Sequence, residues 1–174
     1  MAGSSTTGTP ILELDAMSPS AFLATVERLF ERAPRFTARL VEARPFGSNA
    51  AFIDLAREIA HAMPEDEQVE LANAHPRLGA PPAGVSAASF AEQGYDRPMS
   101  AADADVAAQL ERLNDGYERT FGFRYCVFVA GRTRAELLPD FEDALGGDRD
   151  AELNRAIDAV VDIAADRLAK LARV

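Results

Sequence analysis

A single cysteine, Cys126, in 174 residues leaves no partner for an intrachain disulfide and no basis for a cysteine zinc site. That usage fits a reducing compartment. Only two histidines are present, His61 and His75, so proton chemistry near neutral pH has few carriers. Basic residues are in deficit, 18 against 28 acidic ones for a net charge of −10, so the chain lacks the cation surplus that displaces counterions from nucleic acid. An anionic substrate would require a few arginines gathered against that overall field. No apolar run approaches the ~20 residues of a membrane helix. Residues 1–10 lack the basic and apolar regions of a signal peptide and read as a disordered tail, so a cytoplasmic protein is expected. There is no phosphate loop, metal-ligand cluster, Ser-His-Asp set, internal repeat or low-complexity tract, and neither metal nor organic cofactor is expected.

What is present is helical periodicity almost throughout, with apolar residues at 48% and charged ones at 26%, the profile of a globular protein. Ser18-Pro19 is a helix start, followed by a face of Phe22, Val26, Leu29 and Phe30. Pro34 is expected to end that helix, and a short one follows over Phe36 to Ala43. Ser48 caps the next, with a face of Phe52, Leu55, Ile59 and Met63. Pro64 opens another, with Glu65, Asp66 and Glu67 in the first turn, where carboxylates suit the helix dipole. After a Pro/Gly/Ala-rich loop and a short helical turn from Ala87 to Gln93, Ser100 starts a long helix marked by Val106, Leu110, Leu113, Tyr117 and Phe121. Phe121 to Ala130 has strand-like composition but no partner strand, and reads as an extended, buried connector. Thr133 and Glu136 form a capping box for the next helix. The last carries Leu153, Ile157, Val160, Ala164, Leu168 and Leu171. The chain is therefore expected to be all-α, one compact domain over residues 11–174 with seven or eight helices.

Four side chains invite a chemical reading beside a plain one. Pro76 forces His75 out of helical geometry and sets it at a loop mouth, suited to general acid–base work or to a helix C-terminus. Ser89 and Glu92 stand three apart, so the carboxylate can orient a histidine, although a capping box explains the spacing more simply. Arg167 lies at the edge of the last apolar stripe, where it reaches a cavity carboxylate or, more simply on spacing, snorkels to solvent. Cys126 reads as a small buried hydrophobe, and His61 as a helix-face histidine.

Five blocks occur in a familiar order: Arg44-Pro45-Phe46; Ala74-His75-Pro76-Arg77-Leu78-Gly79; Ser89-x-x-Glu92-Gln93; Leu113-Asn114-x-x-Tyr117-x-x-x-Phe121-Gly122-Phe123; and Ala165-Asp166-Arg167-Leu168. In that order and spacing the chain resembles the 2-oxo-4-hydroxy-4-carboxy-5-ureidoimidazoline (OHCU) decarboxylases. The resemblance implies an all-α fold and cofactor-free decarboxylation of OHCU to (S)-allantoin in urate catabolism, by a homodimer. By motif position it makes His75 the proton-transfer residue, Glu92 its acidic partner and Arg167 the anchor of substrate charge. It also implies that Pro76, Ser89, Phe90, Ala91, Glu92, Gln93, Tyr125, Cys126, Val127, Phe128 and Val129 contact the ligand. The connector's free backbone groups would suit a heterocyclic ureide. The loop from Leu78 to Ser89 looks short for that family, Gly94-Tyr95-Asp96 replaces a longer stretch, and Arg124 stands where proline is common. A related ureido or imidazoline acid as substrate, or a non-catalytic helical binding module, are the competing expectations.

Overall fold

The computed structural model describes residues 10–98 and 100–171. Among them the backbone forms α1 (Pro10–Asp15), α2 (Pro19–Phe30), α3 (Pro34–Glu42), α4 (Asn49–Ala62), α5 (Glu65–Ala74), α6 (Ala87–Glu92), α7 (Ala101–Phe121), α8 (Arg134–Ala144) and α9 (Arg149–Leu171). A single 3-10 turn, Pro82–Gly84, interrupts the loop before α6. The chain is all-α, and no strand occurs among the described residues.

Most starts follow the local capping chemistry. Ser18 accepts from the Ala21 amide at 3.3 Å and Ser48 from the Ala51 amide at 3.1 Å. Thr133 and Glu136 form the expected reciprocal box, and Ser100 makes another with Asp103. Two boundaries differ from the sequence reading. The tail assigned to residues 1–10 meets α1, whose first residue is Pro10; residues 1–9 lie outside the described residues. Ile11 and Leu14 bury α1 against the core, and the Ile11 amide donates to Asn49 Oδ1 at 3.2 Å. Pro34 does not end α2 but opens α3. What ends α2 is Glu31, at φ 59° and ψ −165°, a region nearly reserved for glycine that costs a side-chain residue about 1–3 kcal/mol.

α9 is the central element, with α2, α4 and α5 packed along it. Its buried stripe runs from Leu153 through Ile157, Val160 and Ala164 to Leu168, whereas Leu171, expected on that stripe, is 50% exposed. On α4 the buried stripe is Phe52, Ala56 and Ala60 rather than Phe52, Leu55 and Ile59. The alanines let the helix backbones approach closely. Phe22, Phe30, Phe36, Phe46 and Phe52 form one aromatic group, and Tyr117, Phe121, Phe123, Tyr125 and Phe141 a second. Arg44-Pro45-Phe46 serves the first group. Phe46 and Gly47 amides donate to Asp15 Oδ2 at 2.9 and 2.8 Å, and the Arg44 guanidinium covers the Phe22 ring.

The second group anchors the connector, which is extended from Arg124 to Val129 but, rather than buried throughout as expected, is buried there only at Tyr125 and Cys126 and half-buried elsewhere. Tyr125 stacks on Phe141 with centroids 3.7 Å apart. Arg155 donates to Glu152 at 2.9 Å and to the Cys126 carbonyl at 2.8 Å, while Tyr117 donates its hydroxyl to Glu152 at 2.8 Å.

Gly79 closes the loop after His75, its amide donating to Gln93 Oε1 at 2.7 Å. Its φ is +80°, and an added Cβ would lie 2.8 Å from Leu110 Cδ1 and 3.2 Å from Leu110 Cβ. Gly79→Ala should therefore lose about 1–3 kcal/mol in urea denaturation. An unchanged midpoint would contradict this account of the loop.

Candidate active site

Pro76 does to α5 what its chemistry requires: the helix stops at Ala74 and His75 takes an extended φ −79°, ψ 141°. The imidazole is only 4% exposed, and neither Nδ1 nor Nε2 has a hydrogen-bond partner among the described residues. Such a bare buried ring is uncommon in a folded protein and marks a place to look for function. Burial first, and the Arg167 charge second, push its pKa down to about 4, with Glu31 pulling the other way. The near-neutral titration expected from the sequence is thus corrected: His75 is a neutral imidazole at pH 7. Arg124 braces its backbone, donating from Nη1 to the carbonyls of Asn73 at 2.9 Å and His75 at 3.2 Å, while its amide donates to Asn73 Oδ1 at 2.8 Å. A proline here could make none of these bonds.

Arg167 does not snorkel. It is 6% exposed and its guanidinium is fully engaged. Nε and Nη2 donate to Glu92 Oε1 and Oε2 at 2.8 and 2.9 Å, a two-pronged pair. Nη1 donates to the Arg28 and Leu29 carbonyls at 3.1 and 3.2 Å and lies 3.1 Å from Glu31 Oε1, and Nη2 also donates to Ser89 Oγ at 3.2 Å. Two expectations change. Glu92 is the acidic partner of Arg167, not of His75. Ser89 and Glu92 form no capping box either, because Ser86 caps α6 by accepting from the Ser89 amide at 3.2 Å. Ser89 instead donates to Glu31 Oε1 at 3.1 Å, as Ser86 does at 2.8 Å.

Two neighbouring hollows lie beside these groups. A recess of about 30 Å³ is lined by His75, Pro76, Leu78, Ser89, Glu92, Gln93, Tyr125, Cys126, Val127, Val129 and Ile163. A groove of about 690 Å³ has Ala91, Glu92, Gln93, Val127, Phe128, Val129, Ile163 and Arg167 among its walls. Glu92, Gln93, Val127, Val129 and Ile163 line both, so they stand between them. Of the expected contact residues only Phe90 borders neither; its ring tilts against Tyr95 at 5.5 Å. Cys126 is a buried hydrophobe whose thiol burial pushes up to about 12, well out of reach as a nucleophile at pH 7. Between Tyr125 and Val129 no backbone N–H donates to a partner among the described residues, while the carbonyls of Cys126, Phe128 and Val129 are taken by arginines.

The groove reverses the sign of the molecule. Its lining carries six basic residues, Arg28, Arg97, Arg132, Arg134, Arg167 and Lys170, against Glu92, Asp103 and Asp166. An acidic chain thereby presents one locally cationic cleft, which draws in anions. Sequence reasoning missed this rim and Glu31, because their positions converge only through the packing of α2, α6, α8 and α9. Among the described residues no group of three or more His, Cys, Asp or Glu is arranged to hold a metal ion.

A family model described as OHCU decarboxylase matches residues 15–169. The chain belongs to the OHCU decarboxylase family. It is 25% identical over 158 residues to 2-oxo-4-hydroxy-4-carboxy-5-ureidoimidazoline decarboxylase of Amia calva, covering 90% of each chain. It is also 25% identical over 162 residues to a uric acid degradation bifunctional protein of Bacillus sp. (strain TB-90), spanning 92% of this chain but only 32% of that one. The fold matches a crystal structure of OHCU decarboxylase in the presence of (S)-allantoin with a TM-score of 0.67 at 24% identity, covering 86% of this chain and 98% of that one. A crystal structure of (S)-allantoin synthase matches with a TM-score of 0.65 at 16% identity, covering 92% of this chain and 53% of that one.

The depressed His75 has a thermodynamic signature. Its folded value near 4 lies below the ordinary 6.5, so the unfolded chain binds the proton more tightly. Stability is then fully present above the unfolded value and falls as pH drops from 6.5 towards 4, by on the order of 3 kcal/mol across that window. His75→Gln should lose this component, so its urea midpoint should fall less between about pH 7 and about pH 5. Equal slopes in the two proteins would contradict the assignment.

Proposed function

We propose that this chain decarboxylates OHCU to (S)-allantoin, with His75 and Glu92 at the reacting ring and no cofactor. The observation that carries the proposal is a neutral imidazole, without a hydrogen-bond partner among the described residues, in a recess that shares Glu92, held by Arg167, with the wall of a cationic groove. The recess holds about one water, so a heterocycle fits with its body in the groove and one edge turned towards His75.

The proton bookkeeping suits these groups. Breaking the bond to CO2 leaves its electron pair in the ring, where one proton from solvent is consumed overall. Turning the substrate hydroxyl into a carbonyl releases another proton, and the ring carbon bearing the ureido group gains one. A neutral His75 starts as the acceptor of the hydroxyl proton. Burial makes the resulting imidazolium a strong acid, ready to return the proton to carbon on one face. Both Glu92 oxygens accept from Arg167 and keep a further lone pair each for ureido N–H groups. The unpaired amides from Tyr125 to Val129 supply donors for ring carbonyls, a preorganised field for the charge that develops there. The groove cations suit the carboxylate on its way in. Arg167 acts here as the residue that positions Glu92, since its own donors are already engaged.

Action as a cytoplasmic homodimer goes with this reading. No helix among the described residues is long and apolar enough to cross a membrane.

Turnover of freshly generated OHCU is the direct assay. His75→Ala should keep its helical circular dichroism and lose about 10²- to 10⁴-fold in kcat. His61→Ala should stay active, because His61 lies on the α4 surface beside Asp158 at 2.9 Å. A folded His75→Ala protein with near-normal turnover would remove the mechanism. Activity should also survive exhaustive chelation and dialysis; a loss restored by one added metal would reject the cofactor-free scheme.

A further inference from the structure

Glu31 lies outside every motif that carries the family resemblance, yet its surroundings tie it to the site. Its Oε1 accepts from Ser86 Oγ at 2.8 Å and Ser89 Oγ at 3.1 Å, and stands 3.1 Å from Arg167 Nη1. Ser86 is the cap of α6, Ser89 and Glu92 both ride on α6, and Arg167 comes from α9. One carboxylate oxygen thus joins the end of α2 to the helix that carries Glu92 and to the guanidinium that holds Glu92. The side chain is half-buried, and the backbone at φ 59° is one that glycine would adopt more easily. A position that favours glycine conformationally but holds an ion-paired glutamate points to a task for the carboxylate.

We propose that Glu31 is a positioning residue of the decarboxylase site, fixing the Arg167–Glu92 pair and balancing the Arg167 charge that faces His75. The inference rests on the functional reading above. It assigns Glu31 two linked effects. Geometrically, it locks Ser89 between two charges, donor to Glu31 and acceptor from Arg167, which leaves α6 little freedom to rotate Glu92 away from the recess. Electrostatically, it offsets Arg167 as seen from His75. The ionisable groups around that imidazole are Arg167 from α9, Glu31 from the end of α2, Glu92 from α6, and Arg124, Tyr125 and Cys126 from the connector. Arg167 makes the ring harder to protonate and Glu31 makes it easier. Without Glu31, His75 becomes a weaker base for the hydroxyl proton, and turnover falls even where substrate still binds.

Glu31→Gln tests this with little change in shape, since its carbonyl oxygen still accepts from both serines. Glu31→Gly is the second variant, because it removes the carboxylate while relieving the positive φ. Both should fold, with Glu31→Gly at or near the unfolding midpoint of the unaltered protein. Turnover of OHCU should fall about tenfold or more in both, mainly in kcat rather than KM, and the acid limb of the pH profile of Glu31→Gln should move to lower pH. NMR titration of the His75 ring nitrogens in a His61→Gln background, which needs no turnover, should show the same downward shift. If the unaltered protein fails to turn over OHCU, the functional reading fails while the titration still judges Glu31. Turnover within about twofold of normal in either folded variant, a loss confined to KM, or an unshifted or raised His75 midpoint would overturn the proposal.

Discussion

Arg167 enters the interior from α9 carrying a charge that water would otherwise solvate. Its burial is tolerable only because every N–H of the guanidinium meets an oxygen. Those oxygens come from the end of α2, from α6 and from carbonyls exposed where α2 frays, so one side chain dictates how three helices meet. The short α6 has six residues, too few to hold its own place by helix propensity. The salt link and the serine hydroxyls hold it instead. The strained backbone at Glu31 sits where its carboxylate meets Arg167.

A charge network that closes on itself leaves its neighbour in an unusual state. His75 lies beside a saturated arginine in a recess whose walls include Leu78, Val127 and Ile163, and neither ring nitrogen makes a hydrogen bond among the described residues. A buried polar ring without partners is destabilising by the desolvation cost of those atoms. Folding alone would favour a leucine there. That the chain keeps an imidazole, and braces its carbonyl with Arg124, is intelligible when the missing partner is a substrate. The anionic and neutral members of the site are thus kept apart by Arg167, which engages one and disfavours protonation of the other.

How much of this was legible depended on range. Helices α2, α4, α5, α7, α8 and α9 announce themselves through period and caps, because those signals sit within a few residues of one another. The six-residue α1 has only Ile11 and Leu14 to mark it, too short a pattern to separate from a tail. The same local logic that found the Thr133–Glu136 box suggested a Ser89–Glu92 box, where a second serine three residues earlier had taken the role. Family-like motifs brought His75, Glu92 and Arg167 into view but not their partnerships: Glu92 meets Arg167 across 75 positions. Glu31 had no signal at all, being an ordinary residue between a helix and a proline until the chain folds.

The connector shows why an apparent defect in secondary structure belongs in this fold. Phe121 to Ala130 has strand composition, but the described residues hold no strand to pair it, so its backbone must be satisfied by other means. On the carbonyl side arginines do this. Arg155 holds Cys126, and Arg132 holds Phe128 and Val129. Arg155 is itself fixed by Glu152 and by the face of Tyr125, with the ring 4.6 Å away. For the amides of Tyr125 to Val129 nothing among the described residues does, and three of these residues, Val127, Phe128 and Val129, border the groove. Placing this segment inside a sheet would consume those amides. Leaving it extended, with carbonyls neutralised by cations and amides open, turns a stretch of backbone into an array of donors beside a cationic cleft. That polarity is the one an electron-rich, carbonyl-bearing anion requires.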